Sequence, residues 1–129
     1  MKLFIDKDEE VKIEISVAVE NDIIECWPKN RKPSKEYAQV ENHEVRFRMP
    51  TYKDNLLLMD SSFRVDEAGN LSVITNQVKF TRFLTLLKSW TFKDDSGNLV
   101  PINETTATLL APAIVSVIIA ELDKALGSG

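Results

Sequence analysis

From Val11 to Glu20 apolar and polar residues alternate. Val11, Ile13, Ile15, Val17 and Val19 fall on one side, and Lys12, Glu14, Ser16, Ala18 and Glu20 on the other. A period of two sustained this long predicts a β-strand with one buried and one solvated face. Asn21-Asp22 supplies turn chemistry before a second apolar group, Ile23, Ile24 and Trp27. Lys2 to Ile5 is expected to add a short strand. Val45, Phe47 and Met49 alternate with Glu44, Arg46 and Arg48 until Pro50, which cannot donate to a sheet ladder and ends the segment. The first fifty residues therefore read as an antiparallel sheet of three or four strands.

Beyond Pro50 the period changes. Thr51 can cap a short helix from Tyr52 to Met59, to which Leu56, Leu57, Leu58 and Met59 bring apolar bulk. Asp66-Glu67-Ala68-Gly69-Asn70 is a turn signal. Phe80, Phe83, Leu84, Leu87 and Trp90 repeat at helical spacing, extended upstream by Leu71, Ile74 and Val78, with Thr81, Arg82, Thr85, Lys88 and Ser89 on the other faces. Asn103 is a good N-cap and Glu104 suits the positive end of a helix dipole. Pro112 either kinks the helix that follows or starts a second one. From Ala113 to Leu122 nearly every residue is apolar, too short a run for a membrane span of about 20 residues. Such a helix is expected to be central to the domain; the alternative is a surface that awaits a partner. Leu126-Gly127 supplies a stop, and Ser128-Gly129 reads as linker.

Composition narrows the function more than the fold. The chain has 129 residues, enough for one core without staples, and its net charge of −4 argues against broad nucleic-acid binding. A single cysteine, Cys26, excludes an intramolecular disulfide and fits a reducing compartment. In the apolar run Ile23 to Trp27 it reads as an inert thiol whose pKa burial would raise. With no secretory signal expected, the location is cytoplasmic. The single histidine, His43, rules out a Cys/His zinc site of standard spacing. Its reading is a polar residue at a strand end; a general base is the alternative. No phosphate-loop, dinucleotide, zincin or nucleophile-elbow motif occurs. Asp94-Asp95-Ser96-Gly97-Asn98 fails the calcium-loop offsets, because the sixth residue from Asp94 is Leu99 and the twelfth Thr105, so it reads as a polar turn. Pro28 to Lys35, with two prolines and four basic residues (Lys29, Arg31, Lys32 and Lys35), reads as an extended solvated loop; an anion-binding loop is the alternative.

The C-terminal third carries a longer pattern. Trp90-Thr91-Phe92 leads into the Lys93 to Asn98 turn, then Leu99-Val100-Pro101-Ile102-Asn103, then Leu109-Leu110-Ala111-Pro112 and the apolar helix. This resembles the tail assembly chaperones of long-tailed phages over roughly residues 84–126, about a third of the chain. The resemblance implies a binding function: a small protein that keeps a long, hydrophobic, helical tape-measure protein soluble until the tail tube forms. It carries no catalytic motif.

The expectation is thus a single α+β domain, an N-terminal antiparallel sheet of three or four strands packed against three or four C-terminal helices. The expected function is a non-enzymatic tail assembly chaperone in the host cytoplasm, with no cofactor, metal, nucleic acid or membrane. A helical, hydrophobic protein would be its partner, and a homo-oligomer is allowed. Trp90, Phe92, Ile114, Val117, Ile118 and Ile119 are the candidate partner-binding residues. One alternative is a structural virion subunit, of tail-terminator or head–tail adaptor type, that oligomerises through its sheet. The other is a small accessory enzyme or inhibitor acting through the Lys29–Lys35 loop.

Overall fold

The computed structural model describes residues 3–6, 8–65, 71–73 and 75–127. The alternating segment forms β1 (Glu10–Glu20), which turns back into β2 (Ile23–Pro28) with Glu20 facing Ile23. Asn21 and Asp22 both take positive φ, 53° and 63°. That is the two-residue turn whose twist matches the flanking strands, and these residue types tolerate it. β3 (Glu41–Arg48) pairs antiparallel with the other edge of β1.

The fourth strand comes from the C-terminal half, where the sequence pattern predicts helix. Helix α1 (Tyr52–Ser62) is followed by a small hairpin, β4 (Phe63–Val65) and β5 (Leu71–Val73), then α2 (Thr75–Leu86) and β6 (Leu87–Trp90). The helical stripe thus begins after Leu71, which belongs to β5, and stops at Leu86, so that Leu87 and Trp90 lie in a strand. The reason is tertiary: β6 pairs with β3, closing the sheet as β2-β1-β3-β6, and gives Val45 and Phe47 a neighbour in the layer. A bulge at Arg46/Phe47 leaves Lys88 without a partner in the ladder, and its ammonium bonds Glu10 at 2.9 Å. Leu3 to Ile5 form no strand and expose their side chains. The expected 66–70 turn, Ile74 and the Ser128-Gly129 linker lie outside the described residues, as do the side chains of Leu58 and Met59.

Two further helices follow, α3 (Glu104–Leu109) and α4 (Pro112–Ala125). Asn103 caps α3 as expected, its side chain accepting from Thr106 N at 2.8 Å while Thr106 Oγ1 accepts from Asn103 N at 3.1 Å. Pro112 starts α4 and does not kink it. Ile114, Ile118 and Leu122, one row at a spacing of four, are buried as α4 crosses β1 and β2 and touches α2. They meet Ile13, Ile15, Val17, Val45, Phe47, Phe83 and Leu86 in one core. The chain is therefore an α+β fold with helices on one sheet face. No helix among the described residues is long and apolar enough to cross a membrane.

The opposite sheet face is ionic. Glu14 bridges Lys12 at 3.2 Å and Lys29 at 3.1 Å, and Arg46 lies between Glu10 and Glu44. The basic loop stays exposed at Lys29, Arg31, Lys32 and Lys35, as expected, and surface contacts tie it to this face. Lys35 pairs with Glu20 at 3.1 Å, Ser34 Oγ donates to Glu25 at 2.8 Å, and Tyr37 stacks on Trp27 at 5.6 Å between centroids. Two of its four cations thus already meet a carboxylate. Cys26 is half-buried beside Val17, and burial pushes its thiol up to about 11. Only the thiolate reacts, so labelling of native protein near pH 8 is expected to run on the order of a hundredfold slower than in urea. Equal rates, measured with a maleimide, would show an accessible, unshifted thiol.

Candidate functional site: a cleft between the sheet end and the C-terminal helices

Past Trp90 the chain leaves the sheet but keeps one tie to it, Thr91 N donating to Glu44 O at 3.2 Å. It then forms a tight loop in which Lys93 and Leu99 bridge and Val100 N donates to Phe92 O at 2.9 Å. Asp94 fixes the turn, with its Oδ1 accepting from Ser96 N at 3.0 Å and Asn98 N at 2.9 Å. Gly97 takes φ +82°, which a side chain would strain. The polar turn expected from the sequence is what forms, and the Asp94 carboxylate serves the backbone. Trp90 Nε1 donates to Val100 O at 2.7 Å, so the indole pins the returning limb, and Phe92 packs edge-on against it at 5.4 Å.

This loop, the start of β3, the end of α3 and the first turn of α4 enclose a cleft of about 1010 Å³. Its floor is apolar, built from Val17, Trp90, Phe92, Val100, Leu110 and Ile114; Glu41, His43, Thr91, Lys93, Asp94, Asp95 and Thr106 line the rest. Leu109 also lines it and is 79% exposed, a large apolar side chain left in water at the lip. Three of the six residues expected to meet a partner, Trp90, Phe92 and Ile114, are therefore brought together here. They present little surface of their own, being 5%, 8% and 8% exposed. Val117 and Ile119 are half-buried against the core and do not line the cleft. Ile118 must be reassigned: at 0% exposure it is enclosed between α4 and the sheet and has no area to offer a partner.

Sequence reasoning missed the exposed Leu109 at the lip of the cleft and the polar chain in its lining. His43 is a polar residue near the start of β3, as expected, and shares the core-side parity of Val45 and Phe47, so that it lines the cleft. Its ring lies 4.8 Å from Phe92; Nδ1 is 3.1 Å from Thr91 Oγ1 and Nε2 is 3.1 Å from Glu41 Oε2. Thr91 Oγ1 also accepts from Glu44 N at 3.0 Å. Hydroxyl, imidazole and carboxylate thus run in series, with the hydroxyl bonded to β3 backbone. The parity of His43 was readable in the sequence; its meeting with Thr91, 48 positions away, depends on the β3–β6 pairing. Among the described residues no group of His, Cys, Asp and Glu could hold a metal ion. Compared with protein-family models, curated proteins and solved structures, the chain matches none.

Proposed function

We propose that this protein is a binding protein and not an enzyme: a tail assembly chaperone of the long-tailed phage type, acting in the host cytoplasm on a hydrophobic helical client such as a tape-measure protein. The observation that supports this reading is the cleft, with an aromatic floor and an exposed Leu109 at its lip. An amphipathic helix presents apolar side chains at i, i+3 or i+4, and i+7, and an open apolar trough accepts such a row. Leu109 is the anchor on this side, and Trp90, Phe92 and Ile114 shape the surface it stands on. The chain Thr91–His43–Glu41 acts in this reading as a strut that holds the cleft wall.

The test is co-purification of the tagged protein expressed with its neighbouring genes, beside the Leu109→Gln variant. Burying a leucine gives about 1.5–3 kcal/mol, so the variant is expected to lose at least about tenfold in client affinity. Because Leu109 is exposed, the thermal midpoint should stay within experimental error. Undiminished capture by Leu109→Gln, or no long helical partner at all, would overturn the proposal. A second reading, assembly of copies through the sheet, is favoured by Val19 and Ile23, 63% and 70% exposed beside the turn that joins β1 to edge strand β2. Light scattering separates the two, since a stable closed ring supports assembly and a monomer supports the chaperone.

A further inference from the structure

We propose that the segment this cleft receives is a cationic amphipathic helix, with its apolar face on Leu109 and the aromatic floor and its lysines or arginines on Glu41, Asp94 and Asp95. This inference rests on the cleft being the client site and adds the chemistry of the client. Of the acidic and basic side chains lining the cleft besides His43, three are carboxylates and one, Lys93, is an amine. A protonated His43 would narrow that excess without reversing it. Two of the carboxylates are already held. Glu41 is 77% exposed at its side chain yet bonded to His43, and Asp94 accepts two backbone N–H groups from its own turn. A held carboxylate loses less freedom on meeting a cation than a free one, so more of the attraction is kept. The start of α4 opposes it, but a helix N-terminus carries only about half a positive charge. An acidic helix would set like charges against this rim.

The experiment selects binders to the protein from a display library of helix-biased peptides and keeps those that lose at least about tenfold in affinity for Leu109→Gln. These are expected to carry Lys or Arg beside their apolar row. One such peptide should bind about tenfold tighter than its Lys→Glu counterpart, and the gap should shrink in Glu41→Gln/Asp95→Asn and at high salt. Leu109-sensitive peptides that are neutral or acidic would overturn the charge assignment and leave the cleft as the binding site. A library that yields no Leu109-sensitive binder would overturn the cleft itself, and this inference with it.

Discussion

Ile118→Asp is expected to yield no cooperatively folded protein. Ile118 is wholly enclosed, in line with Ile114 and Leu122 on the face of α4 that covers β1 and β2. Removing the isoleucine alone costs about 2–5 kcal/mol. An aspartate in its place is either ionised without a partner or protonated at further cost, adding several kcal/mol. Together these reach the whole net stability of about 5–15 kcal/mol typical of a domain. Circular dichroism and urea titration read the outcome directly. The milder Ile118→Ala should still fold, with a lower urea midpoint and an unchanged slope. A folded Ile118→Asp with a wild-type midpoint would mean that α4 does not rest on the sheet. The contrast with Leu109→Gln is informative, because the two leading apolar positions of the C-terminal helices then separate. One holds the fold, and the other stands exposed.

That separation explains how far the sequence could be read. The alternation of β1 and the Asn21-Asp22 turn carry their own signal, since a period of two and two residues tolerant of positive φ leave little choice. Asn103, Thr51 and Pro112 act locally in the same way, through groups within a few positions of themselves. Leu87 to Trp90 fail the local test because their conformation is set by β3, some forty positions upstream in the chain, as Trp90 faces Val45 in the register. The apolar run in α4 was legible as burial but not as sidedness. Its buried row faces the sheet, while Val117 and Ile119 flank it half-covered. The cleft depends on both effects at once, the return of β6 to the sheet and the angle at which α3 and α4 close over it, so it could not be read from spacing. Its aromatic residues, Trp90 and Phe92, stand out by residue type and not by spacing.

Acid is expected to weaken the fold at the opposite end from the cleft, through the pair Arg48–Asp54. Asp54 lies buried at the start of α1, and its carboxylate accepts from both terminal guanidinium nitrogens of Arg48, Nη1 and Nη2, the latter at 2.8 Å. It also accepts from Thr51 N at 2.8 Å and Thr51 Oγ1 at 3.0 Å, while Thr51 Oγ1 accepts from Asp54 N at 3.2 Å. This reciprocal cap is the one Thr51 promised, with Asp in place of the usual Glu. The Arg48 guanidinium holds the Asp54 carboxyl well below its ordinary range, and the Thr51 bonds add to this against the opposing effect of burial. Lys88 first, with Arg46, lowers Glu10, and Lys29 with Lys12 lowers Glu14, both against desolvation. All three are carboxylates depressed in the folded state. Their stabilisation is complete above the unfolded range near about pH 4 and is lost as pH falls from there toward the folded values. For Asp54 this amounts to about 1–2 kcal/mol once the partly exposed Arg48 head is allowed for. Asp54→Asn removes the charge and keeps one acceptor oxygen for Thr51, while its other oxygen becomes an N–H donor on the Arg48 side. Urea midpoints of the two proteins should therefore differ at neutral pH and draw together below about pH 4, as the wild type takes up the proton that the variant never needed. A gap that stays constant across that range would mean that Arg48 does not act on the charge of Asp54. The helix would then be held in place by its packing against α2 and its cap alone.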